Sequence, residues 1–439
     1  MGAAGPSGEG WPRFDGSLSV GEEERAAAAG DFGHLVRRRP AAVLRARSVE
    51  DVVRVVRHAR RTGLRLVARG AGHTTYGQAQ IEGGVVVDLR RLERIRSVTS
   101  GTATVEAGIS WRALARRTTP AGLVPPVLPD FLDLTVGGTL SAGGISGTSF
   151  VWGAQIDNVD ELVVVTGGGE VVACSPSQEP ELFDAVLGGF GQVGIIVRAT
   201  IRLAAAPDSV AVFRIRYDHP EAMTADLRSL VANGLFDYLL GIITPSEAGG
   251  WEPSIEAAVS AGRSPARWTG RYEVEIRSFA DWLRRVDEPV GVLRDLGLWD
   301  SRHPWLDLFV PEPELDTMLS EVLGSPQLRG VGPLRVLLYP LRRSRFSRPM
   351  LRLPDGESLF LLDVLSTAPP SAGSAMVSAN RRLYERNRDL GGTLYPISAV
   401  PLEPADWHHQ LGPEWQRLAA AKRRFDPDGV LRPGTDVFG

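Results

Sequence analysis

The chain has 439 residues, a formal net charge of −3, 43% hydrophobic residues and 23% charged residues. These values fit a folded protein of two or three ordinary domains, and no block of like charge marks a surface for nucleic acid or anionic membrane. The single cysteine, Cys174, cannot form an internal disulfide. No apolar run reaches the roughly 18 residues of a membrane span, and the N-terminus lacks the apolar core of a secretory signal. We therefore expect a cytoplasmic protein whose partners include neither nucleic acid nor membrane.

The N-terminal part predicts a polar lead-in followed by a strand, a helix and a strand. Residues 1–35 are polar and rich in glycine, whereas 40–70 alternate between apolar runs and a helical pattern. Ser48 is a suitable N-cap for that helix, and Gly63 stands where a C-cap glycine is expected. The second strand leads directly into a glycine-rich loop.

The following elements indicate a mixed α+β protein. Short strands are predicted within 83–110 and a helix within 111–122, whereas 125–150 show little regular pattern. Residues 156–205 predict a hairpin with a glycine turn, a helix and a β-branched strand. Because no G-x-G-x-x-G follows a strand, the sequence gives no sign of a doubly wound dinucleotide-binding fold. The AAAP run at 204–207 predicts a domain boundary.

The segment 68–78, ARGAGHTTYGQ, is the first candidate site. Its glycines allow the backbone to approach a phosphate closely and to present consecutive N–H groups. His73 lies within it, and an imidazole beside a cofactor can bond covalently to an activated carbon. The alternative is a glycine turn that carries a surface histidine.

The segment 129–147, PDFLDLTVGGTLSAGGISG, is the second candidate. We expect its glycines to prevent a regular element, so that its backbone groups need other partners, such as a bound cofactor. The alternative is a long surface loop, although such loops are uncommon unless functional.

These two segments resemble the flavin-binding domain of the vanillyl-alcohol oxidase and p-cresol methylhydroxylase (PCMH-type) superfamily, and most closely the cytokinin dehydrogenases. RGAGHTTYGQA at 69–79 is similar to that family's R-G-x-G-H-S-x-x-G-Q-A, and 130–147 to its D-Y-L-x-L-T-V-G-G-T-L-S-x-x-G-I-S-G. HPWLDLFVP at 303–311 resembles H-P-W-L-N-L-F-V-P, and KRRFDPDGVLRPGTDVF at 422–438 resembles the family's C-terminal motif. The resemblance covers roughly residues 38–438.

The resemblance implies FAD bonded covalently to His73. The further flavin contacts that it implies are Ala68, Gly70, Gly72, Thr74, Gln78, Asp130, Thr135, Ser141, Ile145 and Ile196. It also implies two units, a PCMH-type flavin domain of 1–207 to which 396–439 return, and a substrate domain of 208–395 with an antiparallel sheet and helices.

The resemblance further implies hydride transfer from a substrate C–H next to nitrogen to flavin N5, with oxidative cleavage of N6-substituted adenines. Asp130 falls on the family's catalytic aspartate and Glu275 on a carboxylate that pairs with it. A carboxylate can take the amine proton or stabilise the iminium cation. The expected partners are a small-molecule substrate and an electron acceptor, oxygen or a quinone.

Some positions depart from the family pattern, mainly in the part expected to bind substrate. A family tryptophan is replaced at Phe346, and the stretch at Tyr395–Ser398 also differs. These departures leave open a related flavin oxidase or dehydrogenase for another amine or alcohol. A non-catalytic flavin-binding protein is a further alternative, which the presence of His73 and Asp130 disfavours.

Overall fold

The computed structural model describes residues 10–262, 272–326 and 334–438. Its helices are α1 (Glu22–Ala28), α2 (Val49–Thr62), α3 (Trp111–Thr118), α4 (Val136–Ala142), α5 (Ser149–Trp152), α6 (Pro180–Val186), α7 (Pro220–Asn233), α8 (Phe279–Leu283), α9 (Asp287–Asp295), α10 (Leu315–Gly324), α11 (Gly373–Asp389), α12 (Pro404–Leu411) and α13 (Glu414–Phe425). Its strands are β1 (Ser17–Ser19), β2 (Ala42–Arg45), β3 (Leu66–Arg69), β4 (Val85–Asp88), β5 (Ile95–Val98), β6 (Thr102–Glu106), β7 (Leu123–Val124), β8 (Val159–Thr166), β9 (Val171–Cys174), β10 (Gly194–Arg202), β11 (Ala204–Ala205), β12 (Ser209–Arg216), β13 (Tyr238–Pro245), β14 (Trp251–Ser260), β15 (Tyr272–Ser278), β16 (Leu306–Pro311), β17 (Leu334–Arg342), β18 (Ser358–Ser366) and β19 (Thr393–Leu394). The expected α+β class is confirmed.

Two sheets form the N-terminal part. The first has the order β1-β2-β4-β3, with β2 and β3 parallel to β4, and the second has the order β5-β6-β10-β8-β9 and is antiparallel. Helix α2 packs its apolar face against both, because Val55, Leu44 of β2 and Ile195 of β10 belong to one buried cluster. This packing places β3, and therefore the glycine loop that follows it, beside the end of β10.

The start and end of α2 are set by its capping residues, as the sequence predicts. The Ser48 hydroxyl accepts a hydrogen bond from the Asp51 backbone N–H at 3.1 Å, which satisfies one of the free donors at the helix start. Gly63 ends the helix with a positive φ of 72°, a conformation that costs glycine little.

The second glycine-rich segment is more regular than the sequence predicts. It contains the helix α4, with Thr135 as N-cap, where we expected no regular element. The reason is tertiary packing. Gly137 lies so close to Ala107, the residue after β6, that an added Cβ would stand 2.7 Å from the Ala107 Cβ, and its N–H donates to the Ala107 carbonyl at 2.7 Å.

An eight-stranded antiparallel sheet of order β15-β12-β14-β13-β17-β18-β16-β19 forms the remainder. Because side chains alternate between faces along a strand, its two faces have different partners. One face, which includes Leu338, packs with apolar side chains of α7, α10 and α11. The other, which includes Tyr339, shares a buried cluster with Val136 and Ile196 of the N-terminal part. The glycine-rich segments therefore face this sheet.

Two further features concern the chain as a whole. No helix in the described residues is long and apolar enough to cross a membrane. The C-terminal residues contact the N-terminal part, because Leu431 forms a parallel bridge with Leu66 of β3 and α13 packs on α6.

Candidate active site

A large cavity lies between the glycine-rich segments and the eight-stranded sheet. Its volume is about 1880 Å³, nearly twice the upper end of ordinary small-ligand pockets, which is roughly 1,000 Å³. It is lined by residues of 67–79, 129–145 and 190–196 on one side and by strands β12, β14, β17 and β18 on the other. A cavity of this size can hold a dinucleotide and a second small molecule.

The first glycine loop is fixed by the N-terminal lead-in, which the sequence reading did not connect to the site. Asp31 accepts hydrogen bonds from the Thr74 hydroxyl at 2.8 Å and from the Gly77 backbone N–H at 2.6 Å. The Phe32 backbone N–H donates to the Gly72 carbonyl at 3.1 Å. These bonds hold the loop in one shape, with Gly72 and Gly77 at positive φ.

His73 is enclosed by aromatic rings. Its imidazole stacks on Phe32, with ring centroids 3.9 Å apart, and lies 4.9 Å from the Phe131 ring. Burial lowers the pKa of His73 to about 3, and the nearby His303 and Arg294 act in the same direction. The imidazole is therefore neutral at physiological pH, which is the state in which a ring nitrogen is nucleophilic.

The second glycine-rich segment closes against the first. An added Cβ on Gly70 would collide with the Thr135 side chain, so only glycine allows this approach. On the far side, the Tyr395 hydroxyl accepts a hydrogen bond from the Gly144 backbone N–H at 2.9 Å. Gln78 reaches the same region, because its side-chain amide donates to the Ser398 carbonyl at 3.3 Å. Hydrogen bonds and close packing therefore connect three distant parts of the sequence in the cavity wall, namely 70–78, 135–144 and 395–398.

Asp130 lies at the junction of the two sides. Its Oδ2 accepts a hydrogen bond from the Tyr339 hydroxyl of β17 at 2.7 Å, and its Oδ1 is ion-paired with Arg285. Arg285 lies over the rings of Tyr238 and Trp282, with its Cζ 4.8 and 4.5 Å from their centroids. The carboxylate is therefore oriented by two donors that come from the eight-stranded sheet and the α8–α9 connection.

The structure corrects the expectation for the second carboxylate. Glu275 lies on the edge strand β15, with its side chain 54% exposed, and forms an ion pair with Arg277 at 2.8 Å instead of approaching Asp130. Glu256 of β14 lines the cavity, with Oε1 3.8 Å from the Arg285 Nε. Burial raises the pKa of Glu256, and Arg285 partly opposes that shift. The match that pointed to Glu275 is short, and a short match does not determine on which face of a strand a carboxyl group lies.

All other residues predicted to contact flavin line this one cavity. Phe346, one of the departures from the family pattern, is not among the lining residues and packs on the apolar cluster between the two parts. The residues that the sequence reading missed are Glu256, Arg285, Tyr238, Asp307 and Asp363. For Asp307 and Asp363 the sequence signal is a charged residue inside an otherwise apolar strand, as in SLFLLDVLS. Arg285 lies outside the strands and has no such signal.

Comparisons with known proteins identify the family. The model for the FAD binding domain matches residues 40–175, and that for "Cytokinin dehydrogenase 1, FAD and cytokinin binding" matches 263–438. An uncharacterized oxidoreductase of the fasciation locus of Rhodococcoides fascians is 38% identical, covering 93% of this chain and 96% of that protein. Cytokinin dehydrogenase 4 of Oryza sativa subsp. japonica is 33% identical over 97% of this chain and 90% of its own length. Cytokinin dehydrogenase 8 of Oryza sativa subsp. indica is 36% identical over 95% and 91%.

The chain belongs to the cytokinin dehydrogenase family. It is therefore an FAD-dependent oxidoreductase. The cavity fits FAD on its own geometry, because its volume is about 1880 Å³ and Gly70, Gly72 and Gly138 bring backbone without side chains to its wall. The residues that would hold FAD are those of 67–79 and 129–145 that line the cavity, and both segments lie within the part matched by the FAD binding model.

Proposed function

We propose that this enzyme oxidises a C–N bond of a small-molecule amine and acts, as a cytokinin dehydrogenase does, on N6-substituted adenines. The observation that carries the proposal is Asp130, a carboxylate held at the cavity by Tyr339 and Arg285. Bound FAD supplies the hydride acceptor, N5 of the flavin. The cleaved products are an adenine and an aldehyde, after water hydrolyses the imine.

Asp130 has the role of the base. Removal of hydride from the carbon of a C–N bond leaves an iminium cation, and a carboxylate beside the nitrogen can accept its proton. Tyr339 orients the carboxylate by donating to Oδ2, which leaves Oδ1 to exchange its Arg285 contact for a substrate N–H. Glu256 takes part by keeping Arg285 paired when that contact is exchanged.

We further propose that FAD is bonded to His73 and that it contacts the residues predicted from the sequence. The neutral imidazole of His73, which lines the cavity, supports this, since a protonated ring could not attack the flavin methyl carbon. In this proposal residues 1–207 and 396–439 form the flavin unit and 208–395 the substrate unit. The strands support that division, because β11 ends at Ala205 and the eight-stranded sheet begins with β12 at Ser209.

The attachment is tested by precipitating the purified protein with acid. Flavin colour that stays in the pellet, and is lost to the supernatant in a His73→Ala variant, supports a covalent bond. Complete release of flavin from the wild-type protein contradicts it, whatever the enzyme's substrate.

A second candidate function is the oxidation of another amine or an alcohol, with oxygen or a quinone as electron acceptor. The polar wall formed by Asp307 and Asp363 favours it, because these two carboxyl groups line the cavity. The two candidates are separated by anaerobic mixing with N6-alkyladenines, simple secondary amines and alcohols. Bleaching of the flavin absorbance by the adenines supports the first function, whereas bleaching only by other compounds supports the second.

A further inference from the structure

A second cavity borders the first glycine loop. Its volume is about 570 Å³, which lies within the range of ordinary small-ligand pockets, roughly 300–1,000 Å³. It is lined by the end of α1, by residues of 30–37 and of the loop that carries His73, and by Arg90, Asp133 and Arg294. The chemistry proposed above gives this cavity no role.

The second cavity and the large cavity share a wall that is mostly aromatic. Phe32, His73, Phe131 and Trp299 line both of them. The Trp299 ring centroid lies 4.9 Å from that of Phe32 and 5.8 Å from that of His73. Because the same residues border both cavities, no further layer of protein separates the two spaces here. A flavin bonded to His73 would be attached at this wall.

The second cavity has an excess of positive charge. Asp31 and Asp133 are its two acidic residues, and Asp133 is already ion-paired with Arg112. Against them stand four arginines, namely Arg37, Arg69, Arg90 and Arg294. Arg37 and Arg294 are exposed, and within the described residues no carboxylate lies within 4.0 Å of either. A guanidinium has five N–H donors, so both side chains can bind an anion in the cavity.

Arg294 joins this charge to the aromatic wall. Its Cζ lies 4.7 Å from the centroid of the Trp299 ring, and it lines only the second cavity, whereas Trp299 lines both. A cation is thus held beside a surface of flat rings, on which another flat ring can stack. The arrangement favours a planar ligand that carries a negative charge, since its ring meets the wall and its charge meets the arginines.

We propose that the second cavity binds the enzyme's electron acceptor, a planar quinone with a negatively charged substituent, at a site separate from that of the substrate. The proposal rests on the attachment of FAD at His73 proposed above. The quinone takes up two electrons from the reduced flavin across the shared wall, one proton that the flavin releases and one from water. It leaves as the hydroquinone, and the flavin returns to its oxidised form. The arginines stabilise the negative charge that the quinone gains before it is fully protonated.

Binding is tested with 1,4-naphthoquinone-2-sulfonate and 1,4-naphthoquinone, which share a ring system and differ in charge. The dissociation constant of each from the oxidised holoenzyme is measured by equilibrium dialysis, and we expect the sulfonate to bind more tightly. Arg37→Gln and Arg294→Gln should each raise the dissociation constant of the sulfonate about 5-fold, as the loss of an exposed ion pair does. That of 1,4-naphthoquinone should change much less.

A bulky variant tests the location independently of charge. Ala27 is exposed and lines only the second cavity, so the indole of Ala27→Trp should occupy this space and weaken the binding of both quinones. Arg117→Gln is the matched control for the arginine variants, because Arg117 is exposed on α3 and lines neither cavity. It should bind both quinones as the wild type does.

The electron transfer is tested on enzyme whose flavin has been reduced anaerobically with stoichiometric dithionite. The second-order rate constant of flavin reoxidation by the sulfonate should decrease from the wild type to Arg37→Gln and Arg294→Gln, in the same order as the affinity, and should also fall in Ala27→Trp. Because dithionite replaces the substrate, the result does not depend on which compound the enzyme oxidises.

The outcomes separate this proposal from the proposed function. Equal affinity for the two quinones overturns the acceptor site, as do affinities that stay unchanged in the arginine variants and in Ala27→Trp. Reoxidation rates that do not follow the affinities overturn it as well, because the cavity would then bind an anion without receiving electrons. None of these results affects the oxidation of N6-substituted adenines or the covalent bond to His73, which flavin bleaching and acid precipitation test separately.

Discussion

The two sides of the cavity are built in different ways. On the side proposed to hold FAD, contiguous segments such as 68–78 form the wall, and an added Cβ would meet the Thr135 side chain at Gly70 and the Arg69 side chain at Gly72. On the side proposed to contact substrate, single side chains from separate strands form the wall, as with Glu256, Tyr339 and Asp363. We infer that the flavin side tolerates few substitutions of any kind, whereas the substrate side can change its chemistry one residue at a time.

Asp130→Asn should give the largest effect and should separate chemistry from cofactor binding. The amide keeps the shape of the side chain and an acceptor for Arg285, but it cannot take up a proton. We expect FAD to remain bound while anaerobic bleaching by a true substrate slows by about 10²-fold or more, the usual contribution of a positioned base. Bleaching at the wild-type rate would show that another residue is the base, and Glu256 would be the next candidate. FAD content and melting temperature are measured in parallel.

The pH dependence of stability tests the buried carboxyl groups of Asp307 and Asp363, which are direct partners across β16 and β18. Because burial raises the pKa of Asp307 from 3.8 to about 7, the folded protein retains a proton that the unfolded chain releases. This contribution to stability is complete below pH 3.8 and is lost as pH rises through about 7. It amounts to a few kcal/mol, since each pKa unit corresponds to about 1.4 kcal/mol. Urea unfolding at pH 5 and pH 8 should show a smaller loss in Asp307→Asn than in the wild type. Parallel losses in the two proteins would contradict the raised pKa.

Gly70→Ala tests the flavin side. The new Cβ would collide with the Thr135 side chain, and such overpacking typically costs about 1–3 kcal/mol. We expect reduced FAD loading, measured by the ratio of flavin to protein absorbance. Gly101→Ala is the control, because an added Cβ there meets no atom within 4 Å and the backbone is not at positive φ. Equal loading in both variants would show that the close approach is dispensable.

Cys174→Ser should have the smallest effect. Cys174 lies at the end of β9, is 1% exposed and does not line the cavity, and burial raises the pKa of its thiol to about 12. We expect full flavin loading, with a stability cost of about 1–3 kcal/mol for burying a hydroxyl. A large loss of bound flavin in a variant that still melts cooperatively would point to a second attachment site.

The flavin side could be predicted from the sequence because its determinants are local. Ser48 begins α2 because its side chain caps the helix, and Gly63 ends it because glycine adopts a positive φ easily. The loop at 68–78 follows its strand directly. The helix α4 could not be predicted in this way, since Gly137 and Gly138 disfavour a helix in isolation. Packing of Gly137 against Ala107, and its hydrogen bond to the Ala107 carbonyl, outweigh that preference.

The cavity-lining residues of the eight-stranded sheet could not be predicted in this way, because strand pairing across long sequence distances brings them together. The sequence by itself determined that a glycine loop with His73 precedes Asp130, and that apolar strands follow. Only the tertiary structure decided that Arg285 and Tyr339 hold Asp130, that Glu275 lies on an exposed edge, and that Asp307 faces Asp363. The physical reason is register. A shift of one residue turns every side chain of a strand to the other face, and only the packed sheet fixes which carboxyl groups enter the cavity.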